Sequence, residues 1–373
     1  MSELKYVIVN VVETLLRFLP LSCRTGLIEI GNPDKNSPIL LTCNYHLTVE
    51  RVKKAVKGMD CYLLVANSRG VNVWCASAGG LLTNHDVISV LKTSGIEDMT
   101  KKRTVVLPQL AAAGVESRII KKKTGWTVIW GPVRAEDIPE FIENNQKTSQ
   151  MTEVVYDLQQ RMEMSAAWAF PASIVLGLVL ALAWPEAVIR SILFVWGVSF
   201  LVNGLFPFYS RWLGKRVFFI DFERGGLFLM VWGVFIGFVV LYSILKGFSW
   251  GVIIKWAVVS LVVIFVLTFD VRGNTPVYKS GIHEERLLAV FLNEEKCRGA
   301  GVCEQVCPRN CFTVKKGKTA VKRDRCVKCG ACIVQCPFDA LSFKNAEGGT
   351  ITPETIRRFK LNLMGSRLVK VKK

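Results

Sequence analysis

Asp, Glu, Lys, Arg and His are missing from four stretches of this sequence: Trp168 to Trp184, Ser191 to Phe208, Gly225 to Leu245 and Trp256 to Phe269. Each is close to the roughly 17 to 25 apolar residues that carry a helix across a bilayer, the last one needing Gly251 to Ile254 to reach it. Without acids, bases or histidine the four spans offer no proton or ion pathway and no quinone or haem ligands, so they read as an anchor. A disulfide framework is lacking too. Of twelve cysteines, eight fall between Cys297 and Cys336, and Cys23, Cys43, Cys61 and Cys75 are scattered. Clustered thiols of this kind serve as metal ligands in a reducing compartment. No secretory leader is legible: Asn10, Glu13 and Arg17 interrupt the apolar N-terminus at helical spacing, and no small-residue cleavage site follows. Residues 3–19 are expected to form an amphipathic helix on a membrane or a core.

Acidic residues are scarce, 30 against 48 basic ones, and residues 271–373 alone hold 21 Lys and Arg against 9 Asp and Glu. No nucleic-acid recognition motif accompanies this excess, which leaves a basic face near anionic lipid and no nucleic-acid partner. Between the second and third spans lie Arg211, Lys215, Arg216 and Arg224, whereas the other short loops carry chiefly Arg190, Lys246 and Lys255. The positive-inside rule then puts both soluble parts of a multi-pass cell-membrane protein on the cytoplasmic side. Gly233 and Gly237 form a GxxxG pair in the third span; packing within the four-helix bundle is expected ahead of a dimer contact that would make a homo-oligomer.

Five segments follow: an amphipathic segment over 1–25, an α/β parallel-sheet domain over 26–150, a helical linker with four transmembrane helices over 151–270, an α+β two-cluster ferredoxin-like domain over 271–350, and a basic tail over 351–373. Within the α/β part, strands are expected at Pro38 to Thr42, Cys61 to Ala66, Arg103 to Leu107 and Trp126 to Trp130. Helices are expected at Leu47 to Val56, His85 to Leu91 and Asp137 to Glu143. Ligands of such sheets sit beyond the carboxyl ends of the strands, so Thr42 to Asn44, Asn72 to Gly80, Leu107 to Gln109 and Gly131 to Pro132 should share one rim. Residues 146–164 read as a polar helix leading into the first span.

The run Cys326, Cys329, Cys332, Cys336, Pro337 has the spacing C-x2-C-x2-C-x3-C-P, whose first three thiolates bind one iron–sulfur cluster and whose fourth binds another. Zinc is the alternative, but the proline and a second cysteine group upstream favour iron–sulfur. That upstream group reads Cys297, Cys303, Cys307, Pro308, with Ala300 where a second ligand would stand. Crossing the two runs gives Cys307, Cys326, Cys329 and Cys332 to a [4Fe-4S] cluster. Cys297, Cys303 and Cys336 remain for a [3Fe-4S] cluster, or for a [4Fe-4S] cluster completed by water, substrate or a rearranged Cys311. The stretch Cys303 to Phe312 resembles seven-iron ferredoxins, which implies that Cys311 is a non-ligand.

In the α/β part, Asn72, Val73, Trp74 and Cys75 read as a strand end, followed by the small residues Ala76, Ser77, Ala78, Gly79 and Gly80, a turn that a large flat ligand can approach closely. Cys75 taken alone reads as a core residue beside a tryptophan. The stretches LTCNYHL (Leu41 to Leu47), GVNVWCA (Gly70 to Ala76), VLPQL (Val106 to Leu110) and WGPVRA (Trp130 to Ala135) resemble the corrinoid domain of the mercury-methylating HgcA family. That domain is similar in turn to the corrinoid domain of the carbon monoxide dehydrogenase corrinoid iron–sulfur protein. The resemblance covers about residues 26–145, and the family's usual ferredoxin partner, HgcB, would here be fused as Cys297 to Cys336.

The resemblance implies a corrinoid (cobalamin) cofactor, Cys75 as catalytic lower axial thiolate on cobalt, and Asn72, Val73, Trp74, Ala76 and Ala78 as its cap. Thr42, Asn44, Gly79, Leu107, Pro108, Gln109 and Gly131 are the further candidate cofactor contacts. A soft thiolate opposite the methyl group biases transfer toward the carbanion or radical character that alkylating a soft metal cation needs. The family's cap runs N-V-W-C-A-A-G-K; here Ser77, Ala78, Gly79 and Gly80 replace its end without the lysine, and the tail lacks the family's terminal cysteine pair. The implied function is a membrane-anchored corrinoid methyltransferase, with Hg(II) as leading acceptor, an unidentified soft or thiol acceptor behind it, and the fused ferredoxin reducing cobalt to Co(I). Its partners would be a methyl-donor protein or methyl carrier and an electron-donating reductase. The alternative is a membrane-bound electron-transfer ferredoxin module without methyltransferase activity.

Overall fold

The computed structural model describes residues 3–213, 215–217, 220–222, 225–247, 249–274, 276–277, 288–345 and 347–359. Arg224, expected in the most basic loop, and most of the basic tail lie outside them. The chain forms two compact units, one built from residues 20–154 and 284–373 with the extreme N-terminus, the other from residues 7–19 and 155–283.

The first unit holds a five-stranded sheet of β1 (Gly26–Ile30), β2 (Ile39–Cys43), β3 (Cys61–Ala66), β4 (Thr104–Pro108) and β5 (Thr127–Gly131), in the order β1-β3-β2-β4-β5. The four expected strands are present within a residue of their anticipated bounds and run parallel. The expected all-parallel sheet is corrected at one edge, where β1 pairs antiparallel with β3. Strands β2 and β3 are buried at every position, as sheets covered on both faces require. The covering helices are α2 (His46–Ala55), α3 (Val73–Ala78), α4 (Asn84–Thr93), α5 (Ile96–Met99), α6 (Ser117–Thr124), α7 (Ile138–Asn144) and α8 (Ser149–Thr152). A capping box between Thr83 and Asp86 starts α4. The expected continuous helix over 146–164 is broken: after α8 the chain is extended through Val154, because the Val154 N–H donates to the Pro308 carbonyl at 2.8 Å.

In the same unit the C-terminal lobe pairs β8 (Ala289–Leu292) with β11 (Leu341–Lys344) and β12 (Thr350–Ile351), and β9 (Phe312–Lys315) with β10 (Lys318–Val321). Two five-residue helices, α14 (Val302–Val306) and α15 (Ala331–Gln335), and α16 (Pro353–Phe359) complete it.

In the second unit the long helices α9 (Leu158–Ala183), α10 (Val188–Gly204), α12 (Gly226–Lys246) and α13 (Trp250–Asn274) are long and apolar enough to cross a membrane. The short α11 (Phe206–Tyr209) and a two-residue hairpin of β6 (Arg216–Val217) and β7 (Ile220–Asp221) separate α10 from α12. Ser165 and Ser199 exchange hydroxyl-to-carbonyl hydrogen bonds of 3.2 and 3.0 Å between α9 and α10, the polar glue that lipid-exposed helices favour. Leu182 and Leu178 of α9 face outward at 92 % and 68 % exposure. Gly233 and Gly237 are also exposed, with no atom of the described residues within 4 Å of an added Cβ, which corrects the expectation that they pack within the bundle. Helix α1 (Glu3–Leu15) exposes Leu4, Val7, Ile8, Val11 and Val12, a face suited to an interface rather than to a core.

Candidate functional site

The parallel strands end on one rim at Cys43, Ala66, Pro108 and Gly131, and the candidate residues follow those ends. The region read as a strand end at Val73 is instead α3, a six-residue helix whose cap is Asn72: its carboxamide oxygen accepts the Cys75 N–H at 3.0 Å. On this helix Val73, Ala76, Ser77 and Ala78 turn inward and are buried, while Trp74 and Cys75 are half-buried. A 3₁₀ turn over Gln109–Ala113 lies against α3, fastened where the Ser77 hydroxyl donates to the Leu110 carbonyl at 2.7 Å. The chain beyond that turn touches α3 backbone to backbone, since a Cβ on Gly114 would fall 2.4 Å from the Ser77 carbonyl oxygen. Small residues therefore form both the helix that presents Cys75 and the support behind it.

The remaining rim candidates divide by what their side chains do. Asn72, Trp74, Cys75, Gly79 and Pro108 are partly accessible. Thr42, Leu107 and Gly131 are buried. Asn44 is buried and spends its side chain on the protein: its oxygen accepts from the Ser68 N–H, the Ser68 hydroxyl and the Gly70 N–H at 2.8, 3.0 and 3.1 Å. It pins the loop that leads to α3. Asn44→Ala strands two buried N–H groups and is expected to lower the stability of this unit by about 3 kcal/mol, measured as the unfolding midpoint of the detergent-solubilised protein. Gln109 is likewise committed, donating to the Thr152 carbonyl at 3.0 Å and accepting from Lys147 Nζ at 2.7 Å.

Two cavities mark the cysteine clusters. One is lined by Cys307, Cys311, Cys326, Cys329 and Cys332. The other is lined by Cys297, Cys303 and Cys336 with Ala300 and Thr319. Apart from Cys311, which adjoins the first, the two groups contain the cysteines assigned by crossing the cysteine runs. Among the described residues no three His, Cys, Asp or Glu side chains close on a single ion, whereas cavities ringed by thiols suit polynuclear clusters. Cys311 lies on the first cavity, away from the second. Its N–H donates to Cys307 Sγ at 3.2 Å and its thiol faces the Arg309 carbonyl; its closeness to Cys307 and Cys326 lowers the pKa of both and raises its own. Burial pushes Cys303 up to about 11 and raises Cys332, so loading with iron releases protons there.

The C-terminal lobe is fixed to the α/β part by residues that the sequence did not single out. Val306 and Ala331 belong to the core formed by the sheet and its helices, and Val302 and Cys329 pack against it. The buried Gln335 donates to the Ala112 and Val115 carbonyls at 2.7 and 2.5 Å and accepts from the Ser117 N–H and hydroxyl at 3.3 and 3.1 Å. Arg357 lies 3.6 Å from Glu116 and 2.5 Å from Asp339, which also meets Arg118 at 3.7 Å; the Arg357 guanidinium lowers the Asp339 pKa. Glu153 pairs with Arg309 and Arg325. The 3₁₀ turn is thus shared: Cys75's helix lies on it from one direction and the lobe's two helices from another.

Lys147 bridges the same seam, donating to Gln109 Oε1 and to the Gln305 carbonyl at 2.8 Å. Burial lowers its pKa to about 8 from the ordinary 10.5. Between those two values the unfolded chain binds the extra proton, so stability is expected to rise from about pH 8 to 10. Lys147→Met should flatten that rise in denaturation midpoints measured across the window.

Residues 17–142 match the family described as CO dehydrogenase/acetyl-CoA synthase delta subunit, and residues 320–342 match a 4Fe-4S binding domain. The acetyl-CoA decarbonylase/synthase complex subunit gamma of Methanopyrus kandleri is 37 % identical over 126 residues, 33 % of this chain and 27 % of that protein. The subunit of the same name from Methanocaldococcus jannaschii is 35 % identical over 128 residues, 34 % of this chain and 26 % of that protein. The chain therefore spans about a quarter of the length of these relatives. It carries a domain similar to that of corrinoid iron–sulfur subunits together with a 4Fe-4S ferredoxin motif.

Proposed function

We propose that the chain is a membrane-anchored corrinoid iron–sulfur methyltransferase, with Hg(II) as leading acceptor and a thiol or other soft nucleophile as the alternative acceptor. The observation that carries this reading is the partly accessible Cys75 on a small-residue helix, set against the same turn that seats the cysteine-rich lobe. When bound, a corrinoid supplies a cobalt centre that accepts and releases methyl groups and needs low-potential electrons to remain competent. The donor set fits: Cys75 offers one soft sulfur ligand, Asn72 fixes the turn that presents it, the buried Ala76 and Ala78 back the helix behind it, and the partly accessible Gly79 adds no side chain beside it. Trp74 adds an aromatic face beside it. Cys307, Cys326, Cys329 and Cys332 would hold a [4Fe-4S] cluster.

Cys297, Cys303 and Cys336 would hold a [3Fe-4S] cluster, since Ala300 faces the cavity where a fourth thiolate would come from. Ala300→Cys is expected to abolish the paramagnetic [3Fe-4S] signal of the oxidised protein and to raise iron from about seven to about eight per chain; a signal of unchanged size would contradict the assignment. Both soluble parts belong to one compact unit, which supports an even number of spans, and the basic loop between the second and third spans supports a cytoplasmic location. The acceptor is tested by incubating reduced, methylated, full-length protein with Hg(II) and, separately, with a low-molecular-weight thiol. Methylmercury is the expected product. Neither product from protein loaded with cobalamin and both clusters would overturn the proposal.

A further inference from the structure

The two cysteine cavities differ in exposure and in what adjoins them. No residue lining the Cys307, Cys326, Cys329 and Cys332 cavity is exposed. Pro308 and Arg309 on its wall are bound to Val154 and Glu153 of the chain leaving the α/β part. The Cys297, Cys303 and Cys336 cavity opens to solvent at Arg298, Ala300, Pro337 and Phe338, the last 47 % exposed. Beside this opening stands the turn between β9 and β10, where Lys315, Lys316 and Lys318 are all exposed. The turn is locked to the cavity wall: Gly299 has φ +64°, and a Cβ there would lie 2.5 Å from the Gly317 carbonyl oxygen. Thr319, one residue past the lysines, meets Cys297 Sγ at 3.2 Å. From residue 294 to 319 the exposed cations Lys296, Arg298, Lys315, Lys316 and Lys318 outnumber the exposed acids Glu294, Glu295 and Glu304.

We infer that this opening is the docking face for a soluble redox protein with an acidic surface, so that electrons arrive at the three-cysteine cavity and leave through the one with no exposed lining residue. The inference rests on the iron–sulfur part of the proposed function and is independent of cobalt. One electron leaves the reduced iron–sulfur or flavin centre of the partner, which is oxidised by one electron, and the three-cysteine site is reduced by one; no bond is made or broken. The lysine turn steers the encounter by charge. Ala300 and Phe338 supply a small uncharged patch through which the centres approach, since charged groups are depleted at the core of a docking interface.

The test uses full-length protein in lipid nanodiscs, with iron content measured first and cluster reduction followed by visible bleaching in stopped flow. The reductants are a reduced acidic [4Fe-4S] ferredoxin and, as a small-molecule control, dithionite. In the triple variant Lys315→Glu, Lys316→Glu, Lys318→Glu, reduction by ferredoxin is expected to slow by about 10-fold or more at low salt and to lose its salt dependence, with dithionite reduction unchanged. Equal ferredoxin rates in variant and parent overturn the docking face, as does a loss shared with dithionite. So does a variant that loses only its binding to phosphatidylserine vesicles, which would make the turn a membrane contact. Protein without iron would remove the cluster reading itself and the docking face with it.

Discussion

Cys75→Ala is expected to abolish methyl transfer, by about 100-fold or more, which corresponds to roughly 3 kcal/mol in the barrier, and to shift the visible spectrum of the oxidised corrinoid. The substitution removes one partly accessible sulfur and little else. The Cys75 backbone N–H is held by Asn72 and its carbonyl by the Gly79 N–H at 2.8 Å, and neither bond involves the side chain, so α3 should persist. Iron content and the cluster spectra should be unaltered, because the cluster cysteines belong to the other lobe. Asn72→Ala should act more mildly, since losing an N-cap costs about 1 kcal/mol. An unchanged corrinoid spectrum in Cys75→Ala would remove the thiolate from the account.

Gln335→Ala is expected to loosen the seam between the lobe and the α/β part by about 3 kcal/mol, because it leaves the Ala112 and Val115 carbonyls and the Ser117 N–H without their partner. Amide exchange at Ser117 should accelerate by on the order of 100-fold. Cluster spectra should be intact, while electron delivery from the clusters into the α/β part slows. The ion pairs of Arg357 and Glu153 persist in the variant and should keep the lobe attached, though less tightly held, since partly exposed pairs contribute little. Unchanged exchange at Ser117 together with unchanged electron delivery would show that Gln335 is not a positioning residue.

Much of the sheet was legible because its buried strands are short apolar runs between turn residues, and β2 through β5 fall within a residue of their expected positions. Strand β1 was missed: an edge strand of five residues makes only antiparallel contacts with β3, and its sequence GLIEI carries no turn signal that fixes its partner. Helix α3 was read as a strand end because Val73 and Trp74 favour strands, although Asn72 immediately before them is an N-cap signal. The break at 153–157 arises from a bond to Pro308 that no local pattern contains. Cavity membership followed from cysteine spacing except for Cys311, which lies on the first cavity, whereas Gln335, Glu116 and Arg357 acquire their roles from packing between segments more than 200 residues apart in the case of Gln335 and Ala112. Asn44 and Gln109 stand on the expected rim, yet their side chains are consumed by loops that only the folded chain brings to them.

The most direct test of the account is the metal content of full-length protein produced anaerobically with cobalamin supplied. About one cobalt per chain, with iron for two clusters and a visible spectrum that changes in Cys75→Ala, is the predicted result. Iron for two clusters with no cobalt would contradict it and leave a membrane-bound electron-transfer protein.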